Sequence, residues 1–237
     1  SPGPAPHAFV ELHIEQGPLL IGKNLPAAVV SGIRGNFRHR AINCIGEAGH
    51  SGAVPKAYRR DPVLAFADLM VRLDESWTTI LNKGADLVLT SGMVSTDRET
   101  NALSRIPDRL TFSLDIRSQS ADTLDEMRSL VATEMKQIEK DRKVRFELDE
   151  GMYSAPAVCD PQVVDGLREA MARSGLEPFV MPSGGGHDAA VFSAAGVPAG
   201  MVFVRNRNGS HNPDEAMDVS DFLRACDIFS AYLEEQA

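Results

Sequence analysis

Leu110, Phe112, Leu114 and Ile116 alternate without a break with Arg109, Thr111, Ser113, Asp115 and Arg117. Successive side chains on a strand point to opposite faces, so this run reads as a strand with one face in a core and one polar face. A shift of one residue would turn its whole apolar set outward, which fixes the pairing of whatever lies beside it. The flanking segments supply the partners. Phe37 to Ile45 is strand-like. Asp61-Pro62 opens a helix, with Asp as N-cap and Pro at the first helical position, and with Val63, Phe66, Ala67, Met70, Val71 and Leu73 as its apolar stripe. Asp86 to Met93 reads as a strand. Ser120 caps a second helix striped by Leu124, Met127, Val131, Met135 and Ile138, and Val144, Phe146 and Leu148 alternate once more.

The order from Phe37 to Asp149 is therefore β-α-β-β-α-β. This predicts a ferredoxin-like sandwich, two helices on one face of an antiparallel sheet, with the face carrying Arg117 left polar. The flanks differ. Val10, Leu12 and Ile14 alternate with Glu11, His13 and Glu15, a short strand ended by Gly17-Pro18. Residues 19–28 read as a connection and Ala27 to Ile33 as a buried strand. After Met152, a helix over Val163–Met171, a strand over Phe179–Met181, a short helix from Ala189, an apolar strand over Gly200–Val204 and a last helix follow. The last helix carries Phe222, Leu223, Cys226, Phe229 and Leu233 on one face. Alternating strands and helices predict an α/β layer. The expected organisation is residues 1–27 and 151–237 in one α/β domain, with residues 28–150 inserted.

A net charge of −9 argues against nucleic acid as the main partner. No apolar run approaches the ~18 residues of a transmembrane helix. Cys44, Cys159 and Cys226 are odd in number, widely spaced and without CxxC, so they read as reduced thiols. With no leader visible at Ser1–Pro6, a cytoplasmic location is expected.

Chemistry is expected where histidines sit in Gly-rich loops or at strand ends: His13, His50, His187 and His211. His7 and His39 lack such context and read as surface residues. An imidazole flanked by carboxylates in Glu11-Leu12-His13-Ile14-Glu15 suits a metal ligand or a solvated edge strand. Gly184-Gly185-Gly186-His187-Asp188, between a strand and a helix, could present backbone N–H groups to an anion, or be a turn with His187 as cap. Ser51 and Ser183 lack the GxSxG setting of a nucleophile.

His13-Ile14-Glu15-Gln16-Gly17-Pro18, Gly49-His50-Ser51-Gly52, Arg59-Arg60-Asp61, Leu114-Asp115-Ile116-Arg117, Ser183-Gly184-Gly185-Gly186-His187-Asp188-Ala189 and His211-Asn212-Pro213-Asp214-Glu215 occur in this order. Taken together, they resemble the N-carbamoyl-L-amino-acid hydrolases, with the allantoate amidohydrolases and β-ureidopropionases, a branch of the zinc aminoacylase/carboxypeptidase metallopeptidases. The resemblance implies a catalytic α/β domain with two divalent ions (Zn, Mn, Co or Ni) and an inserted ferredoxin-like lid that forms a homodimer. It implies His13 and His211 as metal ligands and Gln16 and Gly185 as substrate contacts. His50 is implied as a lid histidine polarising the scissile carbonyl in the partner's site, and Arg117 as the clamp on the substrate carboxylate. Where family members often have Asn in an Asn-x-Ile-Pro segment, this chain has Ser104. The family's remaining metal ligands and general base precede the His13 strand by many residues. The expectation is thus the C-terminal part of a longer metal-dependent amidohydrolase acting on N-carbamoyl or ureido compounds, inactive alone. The alternatives are another amidase or peptidase of the superfamily, or a non-catalytic dimerising module that binds a small carboxylate.

Overall fold

The computed structural model of the chain describes residues 7–236. The fold divides into two compact units, one from residues up to Arg34 together with Pro156 onward, the other Gly35–Ala155.

In the first unit, Ala27–Ile33 is the central strand. Ala199–Val204 runs antiparallel on one side of it, and Phe9–Ile14 adds in parallel beyond, at the edge. Val180–Ser183 pairs in parallel along its other side, and Ala157–Val158 pairs antiparallel with its far end, opposite Val180–Ser183 and on the side of Ala199–Val204. Both faces of this sheet are covered, which is why its middle strands read as continuous apolar runs. Ala27, Val29, Val202 and Val204 face the helices Pro161–Arg173 and Val219–Gln236 through Val163, Leu167, Ala225, Ile228 and Tyr232. Ala28, Val30, Met201 and Phe203 face the other way, onto Leu20, Ala189 and Phe192. Gly200 lets the first of those helices approach: a Cβ there would stand 2.5 Å from Val163 Cγ1.

The second unit holds Gly35–Ile45, helix Pro62–Asn82, Val88–Thr90, Arg109–Ser118, helix Ala121–Arg142 and Arg145–Glu147, in that order. Gly35–Ile45 and Arg109–Ser118 are the antiparallel centre of its sheet. Arg145–Glu147 and Met152–Ser154 pair along the outside of the former, Val88–Thr90 and Val94–Ser95 along the outside of the latter. Leu110, Phe112, Leu114 and Ile116 are all buried with Leu69, Leu73, Leu124, Met127 and Ile138, so both helices lie on one face. Asp61 caps the first helix through Val63 and Leu64 N–H, and Ser120 the second through Thr123 N–H.

Five expectations about the fold are revised. The unit boundary falls at Arg34/Gly35 and not at 27/28, because Ala27–Ile33 finds hydrogen-bonding partners on both sides within the first sheet. It falls after Ala155 and not after 150, because Met152–Ser154 pairs with Asn36–Arg38. Helix Pro62–Asn82 buries Ala65, Leu69 and Leu73 while Val63 and Val71 are exposed. The last helix buries Asp221, Ala225, Ile228 and Tyr232, and leaves Phe222, Leu223 and Leu233 exposed. Ala225, Ile228 and Tyr232 pack that face into the core, and Asp221 is tolerated on it because Arg205 Nε and Nη2 donate to its two oxygens at 2.8 and 2.9 Å. His39 is no free surface group either; its Nδ1 lies 2.6 Å from Asp149 Oδ1, whose other oxygen accepts Arg40 and Ala41 N–H across a bulge in Gly35–Ile45. No described helix is long and apolar enough to cross a membrane. Cys44 and Cys159 are buried, and burial pushes their thiols up to about 12 and about 11, so they are inert packing groups.

Candidate metal centre and substrate site

The edge strand Phe9–Ile14 lays Val10 and Leu12 on the helix pair behind the sheet, which turns Glu11 and His13 to the opposite face. There His187 meets them. Glu11, His13 and His187 each offer one ligand atom, all within 4.8 Å of one another. The rings of His13 and His187 stand edge to face, 4.5 Å between centroids, with Phe203 5.6 Å from His187. His13 Nδ1–H donates to Ile14 O at 2.8 Å, so its Nε2 carries the lone pair. His187 has only 2% of its side chain exposed. Burial and the neighbouring His13, opposed by Asp188, bring its pKa down to about 4, so the ring is neutral at pH 7.

Fixed partners hold the group. Glu11 Oε2 accepts Ala189 N–H at 2.9 Å, at the start of helix Asp188–Ala194. His187 Nε2 lies 2.7 Å from Ser183 Oγ, which also lies 3.1 Å from Gly185 O. With Nε2–H donating to Ser183 and Ser183 to Gly185 O, His187 Nδ1 is left unprotonated, 3.9 Å from Glu11 Oε1. Two lone-pair donors facing each other, with a third on His13, form a nitrogen-and-carboxylate set that fits a divalent cation such as zinc. The sequence Ser183–His187–Glu11 has the order of a nucleophile relay, but Ser183 is fully buried and the His187–Glu11 separation is too long for a hydrogen bond.

Glu15 departs from the face its sequence alternation gives it. It is buried, and its two oxygens accept Leu19 and Leu20 N–H at 2.7 and 2.8 Å, capping the short helix Leu19–Lys23. Gly17 gives the carboxylate room, since a Cβ there would stand 2.9 Å from Glu15 Oε1. Gln16 has a left-handed backbone (φ 63°), held by Asn206 Oδ1, which accepts its N–H at 2.9 Å. Its side chain reaches Ser210 Oγ at 3.0 Å and passes 3.1 Å from where a Cβ on Gly185 would be, so Gly185 must stay bare for the two segments to meet. Thus His13, Gln16 and Gly185, called from separate parts of the chain, converge with Glu11 and His187. His211 lies outside the three-residue group. It is exposed, in the left-handed region (φ 60°), directly after the serine that Gln16 contacts.

In the second unit, Gly49-His50 pairs with Arg105-Ile106, and Ser51 N–H donates to Ser104 O at 2.9 Å, so His50 and Ser104 share one small ribbon. Arg117 lies on the polar sheet face, where its Nε and Nη2 donate to Asp115 at 3.0 and 2.7 Å; Arg38 Nε stands 3.2 Å from the same carboxylate. The guanidinium expected to clamp a substrate is therefore already engaged by a carboxylate on its own strand. The sequence pattern did not point to Asn206, which holds the Gln16 backbone. For Glu11 and His187 it gave a usable signal: two residues apart on one strand face, and a histidine between a Gly-rich turn and a helix.

The first unit is thus an α/β sheet that carries, on one face, a histidine–carboxylate group able to hold a metal ion. The profile of peptidase family M20/M25/M40 matches residues 2–235, and the chain belongs to that family. Within it, the chain is 35% identical over 213 residues to an N-carbamoyl-L-amino acid amidohydrolase of Geobacillus stearothermophilus, covering 88% of this chain and 49% of the relative. It is 34% identical over 231 residues to the allantoate amidohydrolase of Escherichia coli, covering 97% and 54%. Among solved structures, an amidase of the hydantoinase/carbamoylase family from Burkholderia multivorans matches with a TM-score of 0.87 at 29% identity, over 98% of this chain and 55% of that one. The resemblance read from the motifs holds. The chain spans about half the length of these relatives.

Proposed function

We propose that this chain is part of a metal-dependent amidohydrolase that cleaves N-carbamoyl (ureido) amino acids or related ureido compounds to amino acid, ammonia and carbon dioxide. The observation that supports this most is the meeting of Gln16 and Gly185 beside the Glu11–His13–His187 group in a chain whose relatives act on such compounds. In this reading His13, with Glu11 and His187 beside it, contributes to holding one divalent ion and His211 to holding a second, with further ligands and the general base still required. The ions supply Lewis acidity and an activated water. Gln16 and Gly185 line the ureido group, Ser104 and Arg117 take the far end of the substrate, and His50 donates to the oxygen of the scissile carbonyl. The Gly35–Ala155 unit is the ferredoxin-like lid, dimerising through its sheet edge. Small ureido substrates and a second copy of the chain are the partners.

The test is hydrolysis by the full-length enzyme with added Zn, Mn, Co or Ni, read as free amino acid released from N-carbamoyl-L-amino acids, N-acetyl-amino acids and dipeptides, and as ammonia released from allantoate and the N-carbamoyl substrates. Ureido substrates should turn over at least tenfold faster than acyl or peptide substrates. Turnover of acyl or peptide substrates alone overturns the ureido assignment in favour of another amidase or peptidase of the family.

A further inference from the structure

The His50 turn is held by a residue that the reading above leaves without a role. Gly52 N–H donates to His50 Nδ1 at 3.1 Å. A ring nitrogen that accepts from an amide carries no proton, so the neutral imidazole must hold its proton on Nε2, as an outward-facing donor. Gly52 reaches that nitrogen only because the chain folds back at once: Ala53 and Val54 N–H both donate to His50 O at 3.1 Å. These bonds leave the outer carbonyls of the turn, Ser51 O and Val54 O, to be satisfied from elsewhere. Arg59 satisfies both. Its Nε donates to Val54 O at 3.0 Å, and its Nη2 donates to Ser51 O. The guanidinium is half-buried, while His50 itself is exposed. Asp61 Oδ2 lies 4.0 Å from Arg59 Nη1, on the residue that caps helix Pro62–Asn82. The turn is thereby tied to the rigid start of a 21-residue helix.

We propose that Arg59 is a positioning residue for His50: its two-pronged grip on Ser51 O and Val54 O holds the turn in which Gly52 N–H occupies Nδ1, and so keeps His50 as an Nε2–H donor and not a base. The proposal rests on the reading that His50 polarises the scissile carbonyl, where a donor and not an acceptor is needed. A planar fork suits the task, since the ammonium of lysine is a single point of charge and cannot reproduce the paired geometry.

The experiment uses this chain, labelled with ¹⁵N, at a pH where histidine is neutral. In the wild type, the His50 ring shifts should report Nδ1 as unprotonated, and the Gly52 amide should be protected from exchange. Arg59→Ala should speed Gly52 exchange at least tenfold and move the Nδ1 shift toward that of a tautomer mixture. Arg59→Lys should lie between the two. Should Arg59→Ala fail to fold, Arg59→Lys decides, since unchanged ring shifts and unchanged Gly52 protection in that variant overturn the proposal. The same holds for unchanged values in Arg59→Ala. In the full-length enzyme, Arg59→Ala should lower kcat about tenfold or more with KM altered less than threefold, and Arg59→Lys should recover part of the loss. His50→Ala separates the two claims. If it leaves kcat intact, the role of His50 is wrong, while the ring shifts still judge Arg59.

Discussion

Glu15 gives the sharpest test of how this structure departs from its sequence pattern. Alternation with Glu11 and His13 places it on the metal face; the structure instead buries it as the cap of Leu19–Lys23. Consider Glu15→Ala. Loss of an ordinary N-cap costs about 1 kcal/mol. Here the loss is larger, because Leu20 is fully buried in the core and its N–H has no route to water, which adds about 1–3 kcal/mol for an orphaned donor. Leu19 is 38% exposed, so its N–H can be solvated and adds little. A five-residue helix cannot hold itself together once uncapped. The total comes to about 2–4 kcal/mol. Glu15→Gln keeps one acceptor oxygen but turns an NH₂ toward an N–H donor, for about 1–2 kcal/mol. Urea unfolding followed by circular dichroism, with hydrogen exchange at the Leu20 amide, measures this. The single tryptophan, Trp77, sits in the other unit, so its fluorescence follows that unit's transition separately. A cost below about 0.5 kcal/mol for Glu15→Ala would refute the capping argument. A tenfold fall in zinc affinity with Glu15→Gln would return the residue to the metal face, whereas the structure expects that fall for Glu11→Gln.

Three further outcomes are expected. Asp221→Ala leaves Arg205 partly buried without its carboxylate and should cost about 3–5 kcal/mol by chemical denaturation. Asp149 has its pKa lowered because the hydrogen bond from His39 and those from Ala41 and Arg40 N–H together outweigh burial, which acts the other way. Its contribution is therefore fully present above the ordinary aspartate value of about 3.9 and is lost as pH falls through the lower folded value; Asp149→Asn should flatten an acid titration of stability in that window. Arg117→Lys in the full-length enzyme should raise KM for a carboxylate substrate about tenfold or more, through loss of the fork. Asp115→Asn, which removes the competing carboxylate, should lower KM; an unchanged KM in both variants means that Arg117 does not bind substrate.

The division of labour between sequence and structure follows distance along the chain. Strict period-two alternation at Leu110–Ile116, the Asp61-Pro62 and Ser120 caps, and the stripe Leu124, Met127, Val131, Met135, Ile138 were fully legible, because each is decided by neighbours a few residues away. The ordered motifs identified the family for the same reason. Helix faces next to long-range ion pairs were not legible. Nothing near Asp221 says that Arg205 will make it tolerable on the buried face, and so Phe222 and Leu223 read as core. The unit boundary at Arg34 depended on strand pairing with residues 180–183 and 199–204, which no local pattern encodes. The site was legible as types and not as a set. His13, Gln16 and Gly185 announced themselves by motif, but only the tertiary structure could bring His187 to Glu11 and His13; the turn of Glu15 to the following helix and of Arg117 to Asp115 are local choices that the alternating pattern hid. A side chain takes the strongest partner within reach, and reach is a property of the folded chain.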